Sequence, residues 1–488
     1  MRAFLLMSLA IFLVQCKNAE TFEGQKGFTL NAQDQELIDY LFKDSKANLP
    51  GESVMVIKNG EVLFANHFGL ANVDTNKSVT DSTLFKINSL SKQFSAMALM
   101  ILVHQGKLNY ETKLTDIFPD FPQHGDHINM RHLLTHQSGL WSYYGFLEEG
   151  RTEPLLNHEI LEKLKQKDTV HFFPGSEFSY GHTGYALIPS IVEKITGETF
   201  PEFMQTEVFE VLEMNNTTIF SPEITIPNRA LGYTIHKDSV QLDDESVVSA
   251  ILGSKGVCTT TSDYYKWDQA LYSDALIPQE ELEDAFHNWE DQKKTNTEGY
   301  GYGWNIRFED DIKVLSHYGE TTGFASQVNR VPSLQLTAVL FSNYIGADRN
   351  LMHKVNALTS IYSDYKIPMP IDIMMKKTID EKGVAEGLKT YDVLKNDTRY
   401  KYELTSLSFL AASFYRMDRK AEAEGIYRKA IAEQPDYFGG YFGLARVQRD
   451  KGLEEEAISN YEKVLSLGTD EEGISDYVER QLVQLRKQ

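Results

Sequence analysis

Two short apolar runs, residues 53–58 and 62–68, flank Asn59-Gly60 and read as strands joined by a two-residue hairpin turn. Helical periodicity dominates residues 91–210, where apolar positions recur every three to four residues. Strand-like runs return at 313–317, 326–331 and 336–342. Strands at both ends of a stretch, with helices between them, suggest one sheet built from the two ends, with a helical insertion. The stretch "YKIPMPIDI" at 365–373 reads as a proline-bearing linker.

Beyond it the pattern becomes periodic. Ala423, Tyr427 and Ala430 recur 34 residues later as Ala457, Tyr461 and Val464, and Leu410-Ala411 recurs as Leu444-Ala445. A helix–turn–helix period of that length is the tetratricopeptide signature and implies a module that binds a protein partner. Residues 376–395 fit either a degenerate preceding repeat or a packing helix. The expected division is a catalytic domain at 33–366, a linker and connector helix at 367–395, and repeats at 396–488.

The amino terminus adds an address. Arg2 precedes an apolar run at 3–14 broken only by Ser8, too short to span a bilayer and suited to a signal-peptide core. It ends in Leu13-Val14-Gln15-Cys16, which looks like a bacterial lipoprotein cleavage box, although Gln15 departs from the usual small residue. The expectation is an exported, periplasm-facing lipoprotein with lipid on Cys16 and a tether at 17–32; the alternative is a buried first helix. A net charge of −22 disfavours nucleic acid and anionic membrane surfaces, so membrane contact is expected only through the lipid. Two cysteines cannot make a disulfide framework, and Cys258 reads as a small buried hydrophobe.

Candidate chemistry begins at "FKINSLSKQFSAMALM", residues 85–100. The string S-x-x-K occurs twice, at Ser89/Lys92 and Ser363/Lys366. "IPMP" follows the second and cannot continue a helix. Phe94, Met97, Ala98, Ile101 and Leu102 follow the first and form one helical face, with Asn88 as the expected N-cap. A serine hydroxyl needs a base to attack a carbonyl, and a desolvated lysine three residues on can be that base. Taken alone, the residues fit a capped helix with a solvated lysine more readily than a catalytic pair.

Four further strings follow in order: "INMRHLLTHQSGL" (128–140), "FFPGSEFSYGHTGYALIPSIVEKITGETF" (172–200), "GYGYGW" (299–304) and "SHYGETTGF" (316–324). Together with Ser89/Lys92 they resemble the serine β-lactamase-like superfamily, which includes class C β-lactamases, D-alanyl-D-alanine carboxypeptidases and related esterases, over residues 33 to 350. The resemblance implies an α/β (α+β) fold, with an antiparallel sheet flanked by helices, an all-α lobe, and the nucleophile at a helix start between them. It also implies that Ser89 is acylated, that Lys92 helps remove its proton, and that Tyr180 acts as partner base and later protonates the leaving group. His182 stands where the family usually has the asparagine that contacts the serine–lysine pair and the substrate. His317-Tyr318-Gly319 fits the third motif on a cleft-lining strand, with Gly319 permitting close approach. The backbone N–H of Glu320 would join that of Ser89 in an oxyanion hole. With His317 in place of a lysine, neutral esters or amides are expected to outrun substrates bearing a carboxylate.

His132 and His136 have a zinc-compatible spacing but lack the H-E-x-x-H glutamate, so with His124 and His127 they read as turn-bracing residues; no metal or cofactor is expected. The leading function is an exported serine hydrolase acting on a small ester, amide or peptide. A β-lactamase or D,D-peptidase proper and a catalytically impaired binding protein are the alternatives.

Overall fold

The computed structural model describes residues 30–236, 239–290, 298–346, 351–402, 405–469 and 473–487. The leader and Cys16 lie outside these residues, as does most of the tether.

Seven strands form the main sheet: β1 (Glu52–Lys58), β2 (Glu61–Phe68), β3 (Glu298–Tyr300), β4 (Asn305–Glu309), β5 (Ile312–Thr321), β6 (Phe324–Val331) and β7 (Leu336–Ser342). Their order across the sheet is β3-β4-β5-β6-β7-β1-β2, and every neighbouring pair is antiparallel. The two ends of the domain therefore meet where β7 pairs with β1. The β1–β2 register sets Lys58 opposite Glu61 and leaves Asn59 and Gly60 as the turn, with φ of 52° and 77°. Asparagine and glycine tolerate that left-handed conformation.

Side chains alternate across β1. Val54 and Val56 enter the core beneath the sheet, while Met55 and Ile57 enter the larger core shared with the helical lobe. Four helices frame the sheet: α1 (Ala32–Phe42), α2 (Ser91–His104), α3 (Thr183–Thr196) and α4 (Leu351–Tyr362). α2 is buried almost throughout and runs through the larger core beside α3. α1 and α4 close the opposite face.

The proline-bearing segment is packed rather than exposed. Ile367 and Met369 are buried beneath the sheet, and Pro370 leads directly into α5 (Ile371–Lys382). α5 faces two ways: Ile373 joins the core beneath the sheet, while Ile371, Met375 and Ile379 join the core of the C-terminal helices. Asp380 on α5 ties three segments together, accepting from Tyr40 at 2.7 Å and Lys376 at 2.7 Å and pairing with Arg419. Helix pairs Ser406–Arg416/Lys420–Glu433 and Phe438–Asp450/Glu454–Leu467 follow, and all the matched positions 34 residues apart are buried. Ser363 is structural: its hydroxyl donates to the Ser360 carbonyl at 2.9 Å and accepts from the Ile367 N–H at 3.0 Å, finishing α4.

Candidate active site

Asn88, Ser89 and Leu90 form a single 3-10 turn ahead of α2. Asn88 does not cap the helix as the sequence suggested. It takes φ of 52°, and its side-chain amide donates to the Phe324 carbonyl at 3.1 Å. A left-handed non-glycine residue held by a side-chain bond is strained backbone of the kind found at functional turns. Ser326 Oγ adds a bond to the Ile87 carbonyl at 2.7 Å. The β5–β6 hairpin thus grips the chain on both sides of Asn88 and presents Ser89.

Two glycines bring backbone against this segment. A Cβ on Gly319 of β5 would lie 2.9 Å from Ser89 N and 2.7 Å from Ile87 O. A Cβ on Gly303, within "GYGYGW", would lie 2.7 Å from Gln93 N and 2.9 Å from Lys92 C. Only hydrogen fits at either place. Gly319 therefore stands where the sequence placed it, with Glu320 next along the strand. The side chains of Glu320 and Tyr318, two residues apart and on the strand's other face, bond to each other.

Lys92 is wholly buried, with Nζ 3.1 Å from Ser89 Oγ, 3.3 Å from His182 Nδ1 and 3.1 Å from the Ser254 carbonyl. Burial, reinforced by the neighbouring Lys255 cation, holds its pKa well below that of an ordinary lysine. Tyr180 presents its ring 5.2 Å from the same Nζ. Burial pushes its phenol up to about 12, partly offset by the facing Ser89 hydroxyl. The resting phenol is therefore protonated.

His182 lies immediately before α3, and burial and then Lys92 lower its pKa to about 3, so it meets Lys92 as a neutral ring. His317 is only 1% exposed. Its Nδ1 lies 2.8 Å from the Tyr318 carbonyl, which can only accept, so Nδ1 carries the proton and Nε2 accepts from Tyr300 Oη at 3.0 Å. Burial, reinforced by Lys92, lowers its pKa to about 3. The expectation that His317 contacts the substrate is thereby corrected: this ring is packed behind the cleft. The ring is neutral, as the sequence reading expected, so this position offers a substrate carboxylate no cation.

Two residues near the centre escaped the sequence reading. His136, placed among turn-bracing histidines, sits with its ring 4.4 Å from that of Tyr180 and 4.5 Å from that of Tyr300. It takes φ of 58°, and its Nδ1 accepts from the Gly181 N–H at 3.3 Å, steadying the turn that carries Tyr180. His132 lies apart, its Nδ1 accepting from Asn129 N at 3.4 Å, while His124 and His127 pack on Phe121 and Phe173. The other is Lys255, buried beside Lys92 and His182. No motif marked it; its only signal was its place in an apolar, glycine-bearing stretch. A cavity of about 330 Å³ opens beside Tyr180 and His182, with Leu140, Trp141 and Phe172 in its wall.

Residues 35–359 match the family described as Beta-lactamase. Penicillin-binding protein 4* of Bacillus subtilis (strain 168) is 30% identical over 307 residues, which cover 60% of this chain and 67% of that protein. A D-aminopeptidase of Gluconobacter oxydans (strain 621H) is 27% identical over 310 residues, covering 61% of this chain and 56% of its own length. This chain thus spans between 56% and 67% of these two relatives. Among solved structures, an octameric penicillin-binding protein homologue from Pyrococcus abyssi aligns with a TM-score of 0.61 at 22% identity, covering 72% of this chain and 81% of that one. D-amino acid amidase from Ochrobactrum anthropi SV3, complexed with D-phenylalanine, aligns at 0.59 and 22%, covering 69% and 100%. At that identity the structural likeness is one of fold, whereas the family match covers most of the chain: the protein belongs to the beta-lactamase family and is a serine hydrolase of that kind.

Proposed function

We propose that Ser89 is the nucleophile of an acyl-enzyme hydrolase acting on a small ester, amide or peptide. The observation that carries this reading is the wholly buried Lys92 amine 3.1 Å from Ser89 Oγ. With its pKa depressed, Lys92 accepts the hydroxyl proton as Oγ bonds to the substrate carbonyl carbon. The backbone N–H groups of Ser89 and Glu320 receive the oxyanion. The Tyr180 phenol, already protonated, gives its proton to the departing oxygen or nitrogen and recovers one from Lys92. Water then cleaves the Ser89 ester by the reverse path. His182 fixes the Lys92 amine from the other side, as a neutral ring.

The substrate reading draws on the relatives' names, a D-aminopeptidase and a D-amino acid amidase, which favour amides or peptides of D-amino acids. We further propose export with lipid on Cys16, a catalytic domain at 33–366, a connector at 367–395, and a tetratricopeptide-like module at 396–488 that takes a protein partner. The exported placement rests on the leader sequence; among the described residues no helix is long and apolar enough to cross a membrane.

A fluorophosphonate probe tests the nucleophile. Intact-mass and peptide analysis should find one adduct, on Ser89, and Ser89→Ala should abolish it. An adduct on Ser363, or none, refutes the reading. A panel of D-amino acid amides, D-Ala-D-Ala peptides, p-nitrophenyl esters and nitrocefin then ranks the substrate classes.

A further inference from the structure

The segment carrying Lys255 is clamped to α2 on both sides. Ser95 Oγ donates to the Gly253 carbonyl at 2.8 Å, Lys92 Nζ to the Ser254 carbonyl at 3.1 Å, and Val257 N to Ser91 Oγ at 3.1 Å. The Ile87 N–H donates to the Val257 carbonyl at 3.1 Å. Gly253 and Gly256 sit at φ of 82° and 116°, and a Cβ on Gly253 would lie 2.2 Å from the Tyr185 carbonyl. Lys255 is therefore held by the same helix that positions Ser89 and Lys92.

What it presents there is a cation without a counter-charge. Lys255 is 8% exposed, and among the described residues its ammonium has no hydrogen-bond or ion-pair partner. The acidic groups around the neighbouring Lys86 are committed elsewhere: Asp244 pairs with Arg229 at 2.7 Å, and Glu245 lies 4.0 Å from Lys86 and 3.8 Å from Arg229. A buried, unpaired cation is costly unless something arrives to meet it. The residue before it, Ser254, accepts from Lys92 Nζ at 3.1 Å, and the Lys255 charge acts on Lys92 and His182, so the cation sits beside the catalytic pair.

We propose that Lys255 is a specificity-determining residue that receives a carboxylate of the substrate beside His182, so that the natural substrates are esters, amides or peptides bearing an anionic group near the scissile bond. The inference rests on Ser89 being the nucleophile. It assigns to Lys255 the carboxylate recognition that His317, buried and neutral, cannot perform. The strongly acidic chain as a whole repels anions, and a fixed cation beside Lys92 opposes that locally.

The test uses the full chain and matched probes: the p-nitrophenyl half-esters of glutaric and adipic acid against their methyl-capped counterparts, each corrected for uncatalysed hydrolysis. The wild type should favour the free acids in kcat/KM. Lys255→Met should lower the acid-to-methyl ratio about tenfold to a hundredfold, chiefly through KM, as expected for one charge-assisted contact. Lys255→Arg should keep part of the preference. A wild-type preference for the methyl esters, or an equal loss on both probes in Lys255→Met, overturns the proposal; the second result would leave Lys255 acting only on Lys92. Fluorophosphonate labelling of Ser89 in each variant reports the nucleophile separately.

If Lys255→Met does not fold, the wild-type ratio between pH 6.5 and 9.5 decides. Burial and the Lys86 cation hold Lys255 at about 8. The other titratable groups near it are Lys86, on the strand before the nucleophile, Lys92 on α2, and His182, already neutral. The ratio should fall as pH passes 8, because Lys92 serves both probes alike. A flat ratio overturns the proposal.

Discussion

The cleft and the helical layer beneath the sheet treat buried cations in opposite ways. Beneath the sheet every one named here is matched: Lys354 meets Glu52 at 2.5 Å, and Lys376 meets Asp380 at 2.7 Å. In the cleft, Lys92 and Lys255 are as deeply buried and neither has a carboxylate. The Lys354–Glu52 pair ties α4 to β1, and the Asp380 carboxylate that matches Lys376 within α5 also accepts from Tyr40 of α1. The unmatched pair raises the free energy of protonated amine, which turns one lysine into a base and leaves the other in need of an anion. Burial is common to both regions; the counter-ion decides whether it yields rigidity or reactivity.

Changing the chemistry of each region should break this contrast in different ways. The largest effect belongs to Lys92→Met, which keeps the volume and removes the amine. We expect kcat/KM to fall about a thousandfold, in the range for loss of a general base, with the melting temperature held or raised. Activity within tenfold of wild type would show that Lys92 is not the base. Next comes Glu52→Gln, which strands Lys354 beneath the sheet. Urea denaturation should show a loss of about 3–5 kcal/mol, largely recovered in the Glu52→Gln/Lys354→Met double variant. A single-variant loss below about 1 kcal/mol would mean that the pair is no more than a surface bridge.

Gly319→Ala should lower kcat about a hundredfold with KM little changed, because the added methyl displaces Ser89 N from the oxyanion position. Equal losses in kcat for Gly319→Ala and for an alanine at the exposed Gly145 would refute that geometry. The smallest effect concerns His317. Its folded pKa of about 3 lies below the ordinary value of 6.5, so the unfolded chain takes up a proton first as pH falls. Stability is full above about pH 6.5 and declines toward pH 3, by about 2 kcal/mol at pH 5 for this ring. The urea midpoint should therefore drop between pH 7 and pH 5, and His317→Asn should flatten that slope; an unchanged slope would place the acid lability elsewhere.

Much of this was readable in the chain. The Asn59-Gly60 hairpin and strands β5 to β7 followed from turn chemistry and alternation, because local sequence dictates both. Ser89, Lys92 and His182 meet within hydrogen-bonding distance across 90 residues of sequence, as their motifs implied. Asn88 was misread because a cap and a left-handed turn use the same residue type, and only the Phe324 carbonyl distinguishes them. His317 was misassigned because its motif specifies a strand but not which neighbour fills the space before the ring; Tyr300 does. Lys255 had no signal beyond its apolar, glycine-bearing stretch, since its segment is held through Gly253, Ser254 and Val257 by Ser91, Lys92 and Ser95 more than 150 residues earlier. At residues 365–373 the prolines were informative, but the alternation of Ile367, Met369, Ile371 and Ile373 carried the burial.

Gly303 and Gly319 approach the nucleophile turn from two directions, and both contacts are made by main chain. The dimensions of the reaction centre are consequently fixed by peptide geometry, which no substitution elsewhere can resize. Variation is then free to explore what surrounds it: exchanging Lys255 or Trp141 alters what is admitted while the bond-breaking apparatus keeps its measure. For an engineer, the molecule divides into a frame to leave untouched and a short set of positions at which a library of new selectivities can be built.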